Sequence, residues 1–230
     1  MKVAYTGLNL PPGSAKYNDR YLSELAAKFK PAKSAPYYFE FLLDDYETSQ
    51  AIAIAADELL DLLILDMEKI ENILMRMNDE NVKSVLDKCL AHLETEKPLC
   101  NLALDDSEKV IVNGFGLVSS KPTVVFETPC TDVNQVCAAI LEKAGMMFFY
   151  TLNKQEVHAW LVEKGTNAVT CAEQIHSDLA RGFIKAELVS CDDLLAAHSL
   201  QDARSRNLTK LVDKDYIIPE NTILEIRFNV

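Results

Sequence analysis

Between Gly13 and Gly114 the chain has no glycine, although it holds seven in 230 residues. Glycine reaches left-handed backbone without strain and lets backbone approach a ligand closely. A stretch this long without one argues against any function built on several glycine turns there. The strongest periodicity of the chain lies inside it. Leu60, Leu63, Met67, Ile70, Leu74 and Met77 recur at spacings of 3, 4, 3, 4 and 3. This predicts a helix from Asp57 to Met77 with a coiled-coil seam of about three heptads. Asn78-Asp79-Glu80-Asn81 reads as a polar turn. A second helix follows with Val82, Val85, Leu86, Cys89, Leu90 and Leu93 on one face, and Lys97-Pro98 stops it. Together they predict an antiparallel helical hairpin, an arm at about 57–96.

The charge sum of 23 − 35 gives −12, and the pI is near 4.8. That argues against broad, non-specific binding to nucleic acid or an acidic membrane, while leaving room for a local basic patch. The acidity divides unevenly, as 14 − 23 = −9 over residues 1–146 and 9 − 12 = −3 over 147–230. The N-terminal apolar run is too short for a secretory h-region and is broken by Pro11-Pro12. Residues 51–65 come closest to a membrane span, but Asp57, Glu58 and Asp61 interrupt them. A cytoplasmic protein without a membrane partner is expected. The six cysteines, at 89, 100, 130, 137, 171 and 191, form no C-x-x-C pair. Reduced thiols and no metal site are therefore expected.

The rest of the chain reads as α+β. Strands are predicted at 2–6, 37–43 and 123–127, and a helix lies between the first two at 21–29. A short helix is predicted at 107–113. Asp132 can cap a helix from Val133 to Ala144, ended by Gly145. From Met146 onward the rhythm is mostly β, with strands at 148–152, 157–162, 183–190 and 222–228. Helices are expected at 168–175, 192–197 and 201–206.

Three segments carry a resemblance: "FFYTLNKQEVHAWLVEKGTNAV", "IHSDLARGFIKAELVSCDDL" and "DKDYIIPENTILEIRFNV". They resemble the C-terminal TGS domain of the Obg-like ATPase family, also called YchF. The resemblance implies a β-grasp domain over 147–230. The hairpin resembles that family through "ILDMEKIENIL" and "LDKCLAHLETEKP", with a shortened turn.

The family's chemistry belongs to a P-loop G domain, and there the residues depart from the pattern. A phosphate loop reads G-x-x-x-x-G-K-[ST]: backbone N–H groups cradle the phosphates, Lys reaches them, and the hydroxyl holds Mg²⁺. Here Gly7 and Gly13 are six apart, one too many, and Lys16 falls two places late. Pro11 and Pro12 have no N–H to donate. The D-x-x-G step is missing at Asp44-Asp45-Tyr46-Glu47-Thr48. The base-selecting N-x-x-E step is replaced by Thr128-Pro129-Cys130-Thr131. Asn153-Lys154-Gln155-Glu156 matches it by letters, but in the TGS region. About 50 residues separate the first strand from the arm, too few for a complete G domain. The expected architecture is a truncated α/β remnant of a G domain (1–146) carrying the hairpin arm, followed by the TGS-like β-grasp domain (147–230).

No catalytic, cofactor or metal residues are expected. His176-Ser177-Asp178 has the letters of a hydrolase triad, but adjacent residues cannot converge as a triad does. His92 reads as a solvated helix residue. His158 and Trp160 share a strand face at period 2, Trp160 being expected to fill the small domain's core. Lys154, His158, Lys164, Arg181 and Lys185 are the candidate RNA- or partner-binding residues; the bland alternative is a solvated face with Glu156, Glu163 and Glu187 interspersed. By resemblance, the expectation is a non-catalytic protein engaging a ribosome, structured RNA or a translation-related protein. Two rivals are a weak ATP or GTP hydrolase and a structural subunit docking through the arm.

Overall fold

The computed structural model describes residues 1–128 and 130–229. In chain order the elements are β1 (Lys2–Thr6), β2 (Gly13–Lys16), α1 (Arg20–Phe29), β3 (Lys33–Ala35), β4 (Tyr38–Leu43), β5 (Ala51–Ala55), α2 (Leu59–Leu74) and α3 (Glu80–Leu93). Then come α4 (Asp106–Phe115), β6 (Thr123–Phe126), α5 (Val133–Lys143), β7 (Met146–Leu152), β8 (Glu156–Glu163), α6 (Ala168–Ile175) and α7 (Ser177–Arg181). The chain closes with β9 (Phe183–Ser190), α8 (Cys191–Ala196), α9 (Leu200–Ser205), β10 (Lys210–Val212) and β11 (Thr222–Phe228). The fold is mixed α and β, as expected.

A single cut near 146 does not divide it. One unit comprises Met1–Ala15 and Tyr38–Ala144; the other comprises Lys16–Tyr37 and Gly145–Val230. Residues 16–37 therefore leave the N-terminal unit in which the sequence placed them.

The first unit holds a five-stranded sheet in the order β2-β4-β1-β5-β6, with β4, β1, β5 and β6 mutually parallel. Central parallel strands are covered on both faces and read as continuous apolar runs. β5, Ala-Ile-Ala-Ile-Ala, is buried at every residue. Its alternation of small and branched residues hid it in the sequence, where 51–65 looked like one apolar run.

The hairpin is present, but its buried face differs from the predicted seam. Leu63 and Ile70 are buried, whereas Leu60 is 50% exposed. Asp66, outside the seam, is buried and accepts from the backbone N–H groups of Val118 and Ser119, each at 2.7 Å. These donors open a 3₁₀ turn at Val118–Ser120 and have no partner inside it. α2 and α3 share one core with Leu99, Val112 and Leu117. The hairpin is thus a packed wall of its unit, not a projecting arm.

The second unit holds a six-stranded sheet, β10-β9-β11-β7-β8-β3. β7 and β8 form an antiparallel hairpin, β11 runs parallel to β7, and β9 lies antiparallel to β11. With α6 between β8 and β9, this is the β-grasp arrangement. On one face Met147, Phe149, Val162 and Leu224 pack with Ala168 and Cys171 of α6. The opposite face bears Phe148 and Tyr150, both buried. Residues 16–37 cover it: Tyr17 stacks on Phe148 at 5.7 Å, and Tyr150 donates to Asp19 Oδ2 at 2.6 Å. Asp19 also caps α1 through the Leu22 N–H at 2.8 Å. β3 adds to the edge in parallel with β8. A β-grasp sheet apolar on both faces needs this second layer, which is why the segment folds here.

Five of the six cysteines are buried, and Cys100 is partly exposed. Burial pushes the Cys89 thiol up to about 11 and those of Cys137 and Cys171 to about 12.

Candidate functional site

β1 ends in a turn at Gly7, with φ +69°. A Cβ there would lie 2.6 Å from Ala55 Cβ and 2.8 Å from Glu58 Cγ. In open parallel sheets ligands bind beyond the carboxyl ends of strands where the strand order reverses. Here that junction between β1 and β5 is closely packed. The loop then enters β2, a strand. Phosphate cradles instead end in a helix N-terminus whose N–H groups face the anion.

The residues after β4 are bound internally. Asp44 is left-handed at φ +55° and accepts from Thr6 Oγ1 at 2.8 Å. Thr6 Oγ1 also lies 2.5 Å from the Tyr46 hydroxyl. Lys121 Nζ donates to the carbonyls of Tyr46 at 2.5 Å and Glu47 at 3.0 Å. Partial burial lowers the pKa of this ammonium. Asp45 is held below the usual carboxylate range by the Thr48 hydroxyl, which donates to it at 2.6 Å. At the site of the missing N-x-x-E step, Pro129 lies outside the described residues. Asn153 of the look-alike motif forms the β7–β8 turn, its Oδ1 accepting from Gln155 N at 2.7 Å and Glu156 N at 2.9 Å. Among the described residues no group of three or more His, Cys, Asp or Glu is placed to hold a metal.

The five candidate binding residues do not form one patch. Lys154 lies in the β7–β8 turn and Lys164 just beyond the other end of β8. At roughly 3.3 Å per residue, eight strand residues hold them more than about 25 Å apart. Lys164 pairs with Glu220 at 3.2 Å, Arg181 with Asp178 at 2.7 Å, and Lys185 with Asp213 at 2.8 Å. Lys154 is exposed and has no acid partner among the described residues. Period-2 reasoning did find one real constellation. His158 stacks on Trp160 at 3.8 Å and 12°, and Trp160 lies nearly parallel to Phe149 at 6.4 Å and 15°. Trp160 Nε1 donates to Thr151 Oγ1 at 3.0 Å. The ring is half-buried at the rim of the core rather than filling it. Burial lowers the His158 pKa. His176 serves as a cap, its Nδ1 accepting from the Asp178 N–H at 3.0 Å.

The solvated-face alternative does not hold at Glu187. Glu187 is only 4% exposed. Arg204 grips it with Nε and Nη2 at 2.8 and 2.9 Å, and Arg227 donates at 2.8 Å. These bonds, above all those from Arg204, hold its carboxyl down at about 2. The alternation in β9 could have placed Glu187 on an inner face, but nothing in the sequence linked it to Arg204 or Arg227.

Residues 146–229 match the YchF-GTPase_C family, described as "Protein of unknown function (DUF933)". The Ribosome-binding ATPase YchF of Mycoplasma genitalium is 43% identical over 98 residues, covering 43% of this chain and 27% of that protein. That of Haemophilus ducreyi is 26% identical over 233 aligned positions, covering 74% of this chain and 64% of that protein. The chain thus spans less than two thirds of these relatives. The structure of the Schizosaccharomyces pombe YchF GTPase matches with a TM-score of 0.81 at 14% identity, covering 99% of this chain and 97% of that one, a likeness of fold. The C-terminal part of the chain is thus similar to the C-terminal domain of YchF proteins.

Proposed function

We propose that the chain is a non-catalytic, cytoplasmic binding member of the YchF family. Its TGS-like unit would engage a ribosome, structured RNA or a translation-related protein. The observation that carries this reading is Gly7. A Cβ there would meet Ala55 and Glu58, and a strand follows the loop; both argue against a triphosphate cradle at this turn. The ribosomal part of the reading draws support from the name of the relatives, Ribosome-binding ATPase.

The contact would centre on Lys154 and the half-exposed His158–Trp160 stack, since aromatic faces stack bases and lysine meets phosphate. Lys164, Arg181 and Lys185 would have to surrender acids before reaching a phosphate. With so few cations, the salt slope of RNA binding should have a magnitude of roughly 2 to 3.

Two measurements test the reading. A bound ligand raises stability by RT ln(1 + [L]/Kd), about 2.7 kcal/mol at a hundredfold excess over Kd. Millimolar ATP or GTP with Mg²⁺ is expected to leave Tm unchanged; a Mg²⁺-dependent rise would restore the hydrolase alternative. In co-sedimentation with ribosomes, Lys154→Ala/His158→Ala should weaken binding about tenfold. Unchanged sedimentation of the double variant would move the contact elsewhere.

A further inference from the structure

We propose that the outer face of α2, with the loop after β4, is a docking groove for a basic protein segment carrying an apolar stripe. It is independent of the role assigned to residues 146–229, so either can fail alone.

The face is apolar where helices of this kind are normally polar. Leu60, Ile64 and Leu65 of α2 are 50, 38 and 49% exposed, and Leu43 at the end of β4 is 61% exposed. Leu60, Ile64 and Glu68 follow one another at i+4, so they lie on one side of the helix. Scattered surface leucines need no explanation, but contiguous ones mark an interaction surface. Two concavities flank this stripe, of about 700 and 590 Å³, and both are lined by Leu65 and Lys69.

Its electrostatics choose the occupant. Glu47, Asp61, Glu68 and Glu71 make no ion pair among the described residues. Two of the local cations are spent on backbone: Lys69 donates to the Gly116 carbonyl at 3.1 Å, and Lys121 to those of Tyr46 and Glu47. Arg76 lines the larger concavity, one cation against the four acids Glu47, Asp61, Glu68 and Glu71. Residues 57–96 carry 4 − 11 = −7. A phosphate backbone is repelled by such a face, whereas lysines or arginines flanking a leucine stripe find both partners. An amphipathic helix laid in a groove is a recurrent mode of this recognition, and charge complementarity sets its specificity and on-rate.

The test uses the full chain and three labelled peptides of equal length: leucines in a helical stripe with lysines between them, the same stripe with glutamates, and the lysine peptide scrambled to break the stripe. Fluorescence anisotropy in about 0.1 M salt reads binding. The striped lysine peptide is expected to bind at least tenfold more tightly than either control. Glu68→Lys/Glu71→Lys and, separately, Leu65→Ser should each weaken it about tenfold. All three positions are exposed, so the variants retain the fold. Equal binding of the scrambled peptide, or indifference of both variants, overturns the proposal. Binding of a labelled oligouridylate that Leu65→Ser abolishes would also overturn it, in favour of RNA.

Discussion

Unit one holds a largely parallel sheet with β1 between β4 and β5, and the side chains at the ends of those strands are bonded within the unit. Thr6, Asp44 and Lys121 bond one another's neighbourhood, and Gly7 lets β5 pack close. Unit two contains the residues matched by the family model, and it takes up an extra layer from residues 16–37. In the first unit, parallel pairing and two-sided burial need only apolar residues of the right size. In the second, a small sheet with two apolar faces depends on specific partners on each.

The largest expected effect tests that dependence. Replacing residues 16–37 by a flexible linker removes α1, β3 and the Asp19 partner of Tyr150. Trp160 is the only tryptophan; its emission should then lose a cooperative urea transition. A sharp transition in that variant would show that residues 145–230 suffice, and the contrast between the units would fall.

Next comes the ionic cluster on β9. Glu187→Gln is expected to cost on the order of 3 kcal/mol, the scale of a carboxyl shifted from its ordinary 4.5 to about 2. A depressed carboxyl stabilises fully above the unfolded pKa. The contribution should therefore be lost as pH falls from 4.5 towards 2. Parent and variant should converge in denaturant midpoint across that window. If they stay parallel, Arg204 and Arg227 do not hold the carboxylate.

The smallest effect belongs to the first unit. Gly7→Ala meets Ala55 and a left-handed φ, and should cost about 1 to 3 kcal/mol by thermal melting. A neutral outcome would mean that the β1–β5 junction is loose enough to admit a ligand.

Much of this was legible beforehand. Asp132 before Val133 and Gly145 after Ala144 marked α5 within a residue at each end, because caps are local chemistry. β7, β8, β9 and β11 followed from apolar alternation and from family likeness. β2, β3 and β10 did not, being three or four residues long and polar in part; such strands exist only by pairing with neighbours distant in sequence. The same limit hid residues 16–37. Nothing local tells α1 that Leu22 and Leu25 will be buried in the C-terminal unit rather than the one that precedes them. Of the candidate site, the His158–Trp160 face was legible from period 2. The ion pairs that occupy Lys164, Arg181 and Lys185 were not, since they depend on where Glu220, Asp178 and Asp213 come to lie.

The buried thiols give the molecule two internal clocks. Cys89 and Cys137 lie in the first unit and Cys171 and Cys191 in the second, all buried and all with pKa values raised by burial. A thiol reacts as its thiolate, and only when exposed. Cys100 is partly exposed without any unfolding, so a brief pulse of alkylating reagent marks it first. Each later modification then records an opening of the unit that holds it. Peptide mass mapping along the reaction would give two opening rates from one unmutated sample.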